Sequence, residues 1–155
     1  MKRTISLAIV VSALAAGVAA SATATAHRSQ TSVTLRLRSQ LQHASYVDNP
    51  PKGPSAGDDL VFTERLLNSS GHAFGSDAAS CIVLFDQRSL CTAAYILPVG
   101  QIMVALVQPG LTRHRIYNQA ITGGTGSYAR ATGTVTVDQR ASGDRFTFHI
   151  HLPAG

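Results

Sequence analysis

Tryptophan is missing from the 155-residue sequence, and cysteine occurs only as Cys81 and Cys91. Charge is scarce, with 13 Lys and Arg against 8 Asp and Glu. The densest basic cluster is short, Arg113-His114-Arg115. Nucleic-acid surfaces carry a longer basic face with interleaved aromatics, so this cluster reads as a solvated loop and nucleic acid is not expected as a partner. No helical period, internal repeat or low-complexity tail follows the N-terminal segment. No serine sits in a nucleophile-elbow context, so no Ser-His-Asp order can be argued. Gly123, Gly124 and Gly126 are close together but precede no helix. The dipole and aligned amides of a phosphate loop are therefore missing.

The N-terminus reads as an address. Lys2 and Arg3 form a positive n-region, Ile5 to Ala20 is apolar, and small residues follow up to an A-x-A site at Ala24-Thr25-Ala26. Ala22-Thr23-Ala24 is an alternative site. This is the secretory signal pattern, so residues 1–26 are expected to be removed and residues 27–155 to form one domain. The apolar run is short for a span of about 20 residues, and no cysteine lies near the cleavage site. A membrane or lipid anchor is not expected, and the location implied is extracellular. Cleavage leaves 11 basic and 8 acidic residues, a charge near +3.

What remains alternates with period two between turn signals. Val33, Leu35, Leu37 and Leu41 fall on one side of a first strand that runs to Val47. A loop with three prolines, 48–57, separates it from Asp59–Leu67, where Leu60, Phe62, Glu64 and Leu66 share a face. Further strands are expected over His72 to Phe85, Leu90 to Leu97, Gln101 to Gln108, Arg115 to Ile121, Tyr128 to Val137 and Arg145 to Leu152. Eight strands at such spacing predict an all-β sandwich or barrel. An eight-stranded closed barrel holds either packed side chains or one small ligand. Three glycines between Ile121 and Tyr128 predict a tight turn there, because they tolerate positive φ and close approach.

In an oxidising compartment an even cysteine count favours a disulfide. In a hairpin centred on Asp86, Cys81 and Cys91 face each other across two strands. Such a bridge contributes about 2.5–3 kcal/mol in the chain-entropy model. Two free thiols, one of them reactive, are the alternative.

Among candidate site residues, Glu64 is the foremost. A carboxyl among apolar side chains has a raised pKa and can act as a general acid or base. On an outward face it would instead be neutralised by a cation such as Arg65. Asp48 and Asp58 flank the proline loop, either as Asx-turn caps or at a cavity mouth. Phe62, Tyr95, Tyr128 and Tyr46 are candidate cavity linings. His149 and His151 share one face of the last strand, but a metal needs a third ligand and spacing fixes none. They read as a polar outer face, and neither metal nor cofactor is expected.

Four segments carry a family resemblance. Gly57-Asp58-Asp59-Leu60-Val61-Phe62-Thr63-Glu64-Arg65-Leu66 resembles the G-D-L-V-P-F-T-N-K-L stretch of allene oxide cyclases. Ala79-Ser80-Cys81-Ile82-Val83-Leu84 resembles their G-L-C-V-V-I strand, and Gly100-Gln101-Ile102-Met103-Val104 their G-H-L-S-V. Ala120-Ile121-Thr122-Gly123-Gly124-Thr125-Gly126-Ser127-Tyr128 resembles both their A-I-T-G-G-A-G-I-F and the V-V-G-G-T-G-K-F of dirigent proteins. The chain is thus similar to the allene oxide cyclase and dirigent superfamily, in particular its small secreted actinobacterial members. The resemblance implies an eight-stranded antiparallel barrel with an apolar ligand cavity, often trimeric, and makes Tyr128 the core aromatic after the glycines. It implies a cyclase or isomerase that moulds its substrate; the alternative is a non-catalytic binding or interaction barrel. Glu64 takes the place of a cyclase asparagine that helps hold an ordered water. The cyclases' strand-one Glu-x-Asn pair has no counterpart, the nearest positions being Ser45 and Val47. In dirigent proteins acidic and arginine residues act in the cavity, which brings in Asp48, Arg36 and Arg38.

Overall fold

A computed structural model describes residues 30–108 and 115–154. The expected signal peptide and residues 113 and 114 of the basic cluster lie outside the described residues. Eight strands follow one another: β1 (Gln30–Val47), β2 (Asp59–Leu67), β3 (Ala73–Val83), β4 (Ser89–Leu97), β5 (Gly100–Gln108), β6 (Ile116–Gly124), β7 (Thr132–Asp138) and β8 (Arg145–Pro153). Each pairs antiparallel with its sequence neighbour, and β8 returns to β1, so the sheet closes into a barrel.

β1 is long because it serves two partners. Its first half, Gln30 to Arg38, pairs with β8, and its second half, Arg38 to Val47, pairs with β2. A register shift between Leu41 and His43 marks a bulge, beyond which the strand stays paired with β2 as far as Val47. Such a bulge bends and twists a strand, and Leu41 beside it is 57% exposed, whereas Leu35 is half-buried and Leu37 buried.

Alternation decides which side chains enter. Leu66, Tyr95, Ile102, Val104, Val135, Val137, Phe146, Phe148 and Ile150 form the buried core. Tyr95 packs edge-on against Phe146 at 5.3 Å and Phe148 at 4.8 Å between centroids. Each such aromatic pair is worth about 0.5–1.5 kcal/mol beyond the area it buries.

Three expected strand boundaries shift. β3 ends at Val83, and Phe85 is 97% exposed rather than in a buried strand. The chain there turns back on itself, with Leu84 N donating to Arg88 O and Gln87 at φ +64. β6 extends through Gly123 and Gly124, so only Gly126 belongs to the turn, a single 3-10 turn at Gly126–Tyr128. β7 therefore begins at Thr132 rather than Tyr128. Gly126 is required by close approach as well as by its φ of +58: a Cβ there would lie 2.3 Å from Val99 O. Cys81 and Cys91 are register partners and form a disulfide.

Candidate functional site

The same alternation that fills one end of the barrel leaves space at the other. A cavity of about 280 Å³ is lined by Leu41, Ala44, Leu60, Phe62, Leu106 and Tyr117, among others, with Glu64, Gln119 and Asp144 as polar contributors. The Cys81–Cys91 disulfide forms part of its wall, and Gln108 Nε2 lies 3.4 Å from Cys91 Sγ. A second chamber of about 460 Å³ adjoins it under the turn 139–144, and Leu41, Glu64, Gln139 and Asp144 border both.

Glu64 comes from the inward face of β2, two residues from Phe62 and two from Leu66, and is 8% exposed. Its register partner on β3 is Asp77, 3% exposed. Side chains directly opposite on one sheet face lie close together, so each of these two carboxyls feels the other. Burial away from water, with Asp144 also near, pushes the Glu64 carboxyl up to about 7; the Ser39 hydroxyl and Asp77 pull the other way. Burial first, then the Glu64 charge, pushes Asp77 up to about 8. Like charges sharing one buried site cannot both ionise at ordinary cost, so the pair retains a proton at neutral pH. Asp77 Oδ1 has no hydrogen-bond partner. Burial also raises Asp144.

Ser39 ties this pair to the roof. Its hydroxyl donates to Glu64 Oε1 at 3.0 Å and accepts from Asp144 N at 3.0 Å. Ser39 N donates to Asp144 O at 2.8 Å. Below the pair, Tyr95 donates its hydroxyl to Gln119 Oε1 at 2.7 Å. Burial raises the pKa of Tyr95 and of Tyr117, so both remain neutral donors.

The sequence candidates therefore part company. Phe62 and Glu64 line the cavity together. Tyr95 lies beneath it, 1% exposed. Asp48 is exposed and accepts from Gly53 N at 3.1 Å, within the proline loop. Tyr128 packs against the core below the glycine turn. Asp58 is fully buried and holds that loop, accepting from Tyr46 Oη at 2.6 Å, Ser55 N at 2.6 Å and Asn49 N at 2.9 Å. The Tyr46 hydroxyl first, then the Ser55 amide, draw its pKa below the usual carboxylate value. Arg36 and Arg38 lie on the outward face of β1 and are exposed. His149 is exposed, and His151 Nδ1 lies 3.1 Å from Ser32 Oγ. No group of three or more His, Cys, Asp or Glu suited to a metal occurs among the described residues.

Sequence reasoning missed Asp77, Ser39, Asp144, Tyr117 and Gln119. Asp77 has the parity of Cys81 and Val83 on β3, which was the signal available. Ser39 fills the gap between Leu37 and Leu41.

A closed eight-stranded barrel with one filled end and a cavity at the other defines the class of fold. No protein-family model and no curated protein matches the sequence. Solved structures do. A pyocyanin demethylase superposes with TM-score 0.68 at 25% identity, over 76% of this chain and 99% of that one. An exo-specific intermolecular Diels-Alderase gives 0.62 at 14% identity, over 80% and 99%. A pterocarpan synthase dirigent protein gives 0.56 at 11% identity, over 81% and 95%. The chain thus has the barrel fold of the allene oxide cyclase and dirigent-like superfamily, as the four segments implied.

Proposed function

We propose that this chain is a secreted barrel that binds a small apolar molecule and acts on it as a cyclase or isomerase. The observation that carries the reading is the buried Glu64 carboxyl on the wall of a partly apolar cavity, with the buried Asp77 as its register partner on the next strand. A buried acid pair raised to about 7 and about 8 can both give and take a proton near neutral pH. The walls supply the rest, since holding a flexible substrate in a reactive shape lowers the barrier of a unimolecular step. The neighbour named a Diels-Alderase supports this, because a cycloaddition is a reaction that positioning alone promotes. Tyr117 and Gln119 are placed to orient a polar group of the ligand, and Ser39 holds Glu64 in register with the roof.

The reading is tested by incubating a small-molecule extract of the native host with the protein and with its Glu64→Gln variant. Isomerisation leaves mass unchanged, so the expected result is one species consumed and another of equal mass formed. The wild type should do this at a rate at least ~100-fold above the variant, the usual range for general acid–base catalysis. A wild type that retains a compound but converts none would leave a binding barrel instead. Outward secretion is checked separately, by N-terminal analysis of protein recovered from the medium, expected to begin at His27.

A further inference from the structure

Three carboxyls lie close together, two of them, Glu64 and Asp144, on the cavity itself, and among the described residues no cation lines that cavity. Glu64 comes from β2, Asp77 from β3 and Asp144 from the turn before β8. The other titratable groups around them are Tyr95 on β4 and Tyr117 on β6, both neutral. The inward residues of β1, β5, β7 and β8 at this level are uncharged: Leu37 and Ser39, Val104 and Leu106, Val135 and Val137, Phe146 and Phe148. Among the described residues the one cation bordering either chamber is Arg140, and it is occupied: its Nε donates to Asp138 Oδ2 at 2.8 Å. Asp77 Oδ1, on a side chain 3% exposed, is left without a partner in a barrel whose other buried polar side chains are almost all satisfied. An open buried acceptor beside a cavity-lining carboxyl marks this cluster as short of donors.

We propose that the cavity takes a small apolar molecule carrying a positively charged nitrogen, seated on the carboxyls of Glu64 and Asp144, which both line it, with Asp77 buried next to Glu64. The inference rests on the ligand-cavity reading above and narrows it. At about 280 Å³ the cavity lies at the small end of ligand sites, ~300–1,000 Å³. Apolar walls and an acidic floor suit a ring system with one cationic nitrogen, whose charge replaces the retained proton. Bookkeeping follows directly. If the ligand arrives as a cation at a protonated carboxyl, the carboxyl's proton leaves to solvent. If it arrives as a neutral base, that proton moves to its nitrogen and none is released. A carboxylate ligand meets like charge here and is rejected.

Three two-ring probes of nearly equal size separate the cases: 1-methylquinolinium, a fixed cation; 1-methylnaphthalene, neutral; and 1-naphthoate, an anion. Binding to the full chain is measured by calorimetry at pH 6 and pH 9, in buffers of different ionisation heat. The expected order is cation, then neutral, then anion. Cation affinity should rise at least ~10-fold between the two pH values as the carboxyls give up their protons. Proton release should be visible at pH 6, and neutral affinity should stay flat. Glu64→Gln and Asp77→Asn should each flatten the cation's pH dependence while leaving the neutral probe bound. Neutral and cation binding equally at both pH values, or naphthoate binding best, overturns the inference and leaves the cavity reading intact. Binding of none of the three overturns both.

Discussion

At the scale of single residues, the molecule holds carboxyls whose pKa values are shifted in opposite directions. Glu64 keeps its proton more firmly folded than unfolded. Between about pH 4.5 and 7 the unfolded chain has released a proton that the folded chain retains. Stability from this group is therefore greatest below its unfolded pKa and falls as pH rises through about 7. The expected loss is about 2–3 kcal/mol between pH 4.5 and pH 8, allowing for coupling to Asp77. Urea unfolding at both pH values should show it in the wild type and show it much reduced in Glu64→Gln. Equal pH slopes in the two proteins would mean that Glu64 ionises freely in the fold. Asp58 runs the other way. Its folded pKa is depressed by Tyr46 and the loop amides, so its contribution is present above its unfolded pKa and is lost as pH falls through the folded one. Asp58→Asn should destabilise at pH 7, and the gap to wild type should close on acidification toward pH 2. Half of the site was legible at this scale. Glu64 announced itself as a charge in an apolar row. Asp77 did not, because Ala78, Ala79 and Ser80 beside it are small and blur the alternation that would have turned it inward.

At the scale of elements, boundaries follow from close approaches that a hydropathy pattern does not carry. The apolar run to Phe85 suggested a longer β3, yet the hairpin closes at Leu84 and throws Phe85 outward. The three adjacent glycines suggested one turn, yet two of them belong to β6. Gly133 makes the same point inside a strand. Its φ is +126, and a Cβ would lie 2.0 Å from His149 O on β8. Gly53, at φ +92 in the proline loop, has nothing within 4 Å. Both sites charge a side chain for positive φ, but only Gly133 adds a backbone collision across a ladder. Gly133→Ala should therefore cost at least ~2 kcal/mol more than Gly53→Ala in chemical denaturation; similar costs would show that β7 and β8 separate easily. Ser39 links two elements rather than two residues. Ser39→Ala removes a donor to Glu64 and an acceptor from the Asp144 amide. It should cost about 1–3 kcal/mol and move the Glu64 carboxyl titration upward, read by carbon NMR. An unchanged titration would show that the hydroxyl does not face Glu64.

At the scale of the whole molecule, closure is what makes a site from scattered residues. Eight alternating segments with turns between them implied a barrel, and the resemblance to a barrel superfamily agreed. Neither could supply the register that sets Glu64 opposite Asp77, because register depends on every turn and bulge before it. The bulge in β1 and the bend before β8 also bring Leu41 and Asp144 over the cavity, and neither has a hydropathy signature. Closure further implies that stability is unevenly distributed along the barrel axis. Around Leu66, Ile102, Ile121 and Ile150 the interior is filled, with each of these residues 7% exposed or less. Around Leu41, Leu60 and Tyr117 it surrounds the cavity, and the second half of β1 has every side chain exposed from Gln40 to Val47. Local opening is easiest where few apolar contacts must be broken. Amide hydrogen exchange should thus be slowest at Leu66, Ile102, Val135 and Phe148 and markedly faster from Gln40 to Val47. A ligand that fills the cavity should slow exchange in β1 beyond the bulge and in the turn 139–144, leaving the filled end unchanged. Protection gained at the filled end instead would place the ligand somewhere other than this cavity.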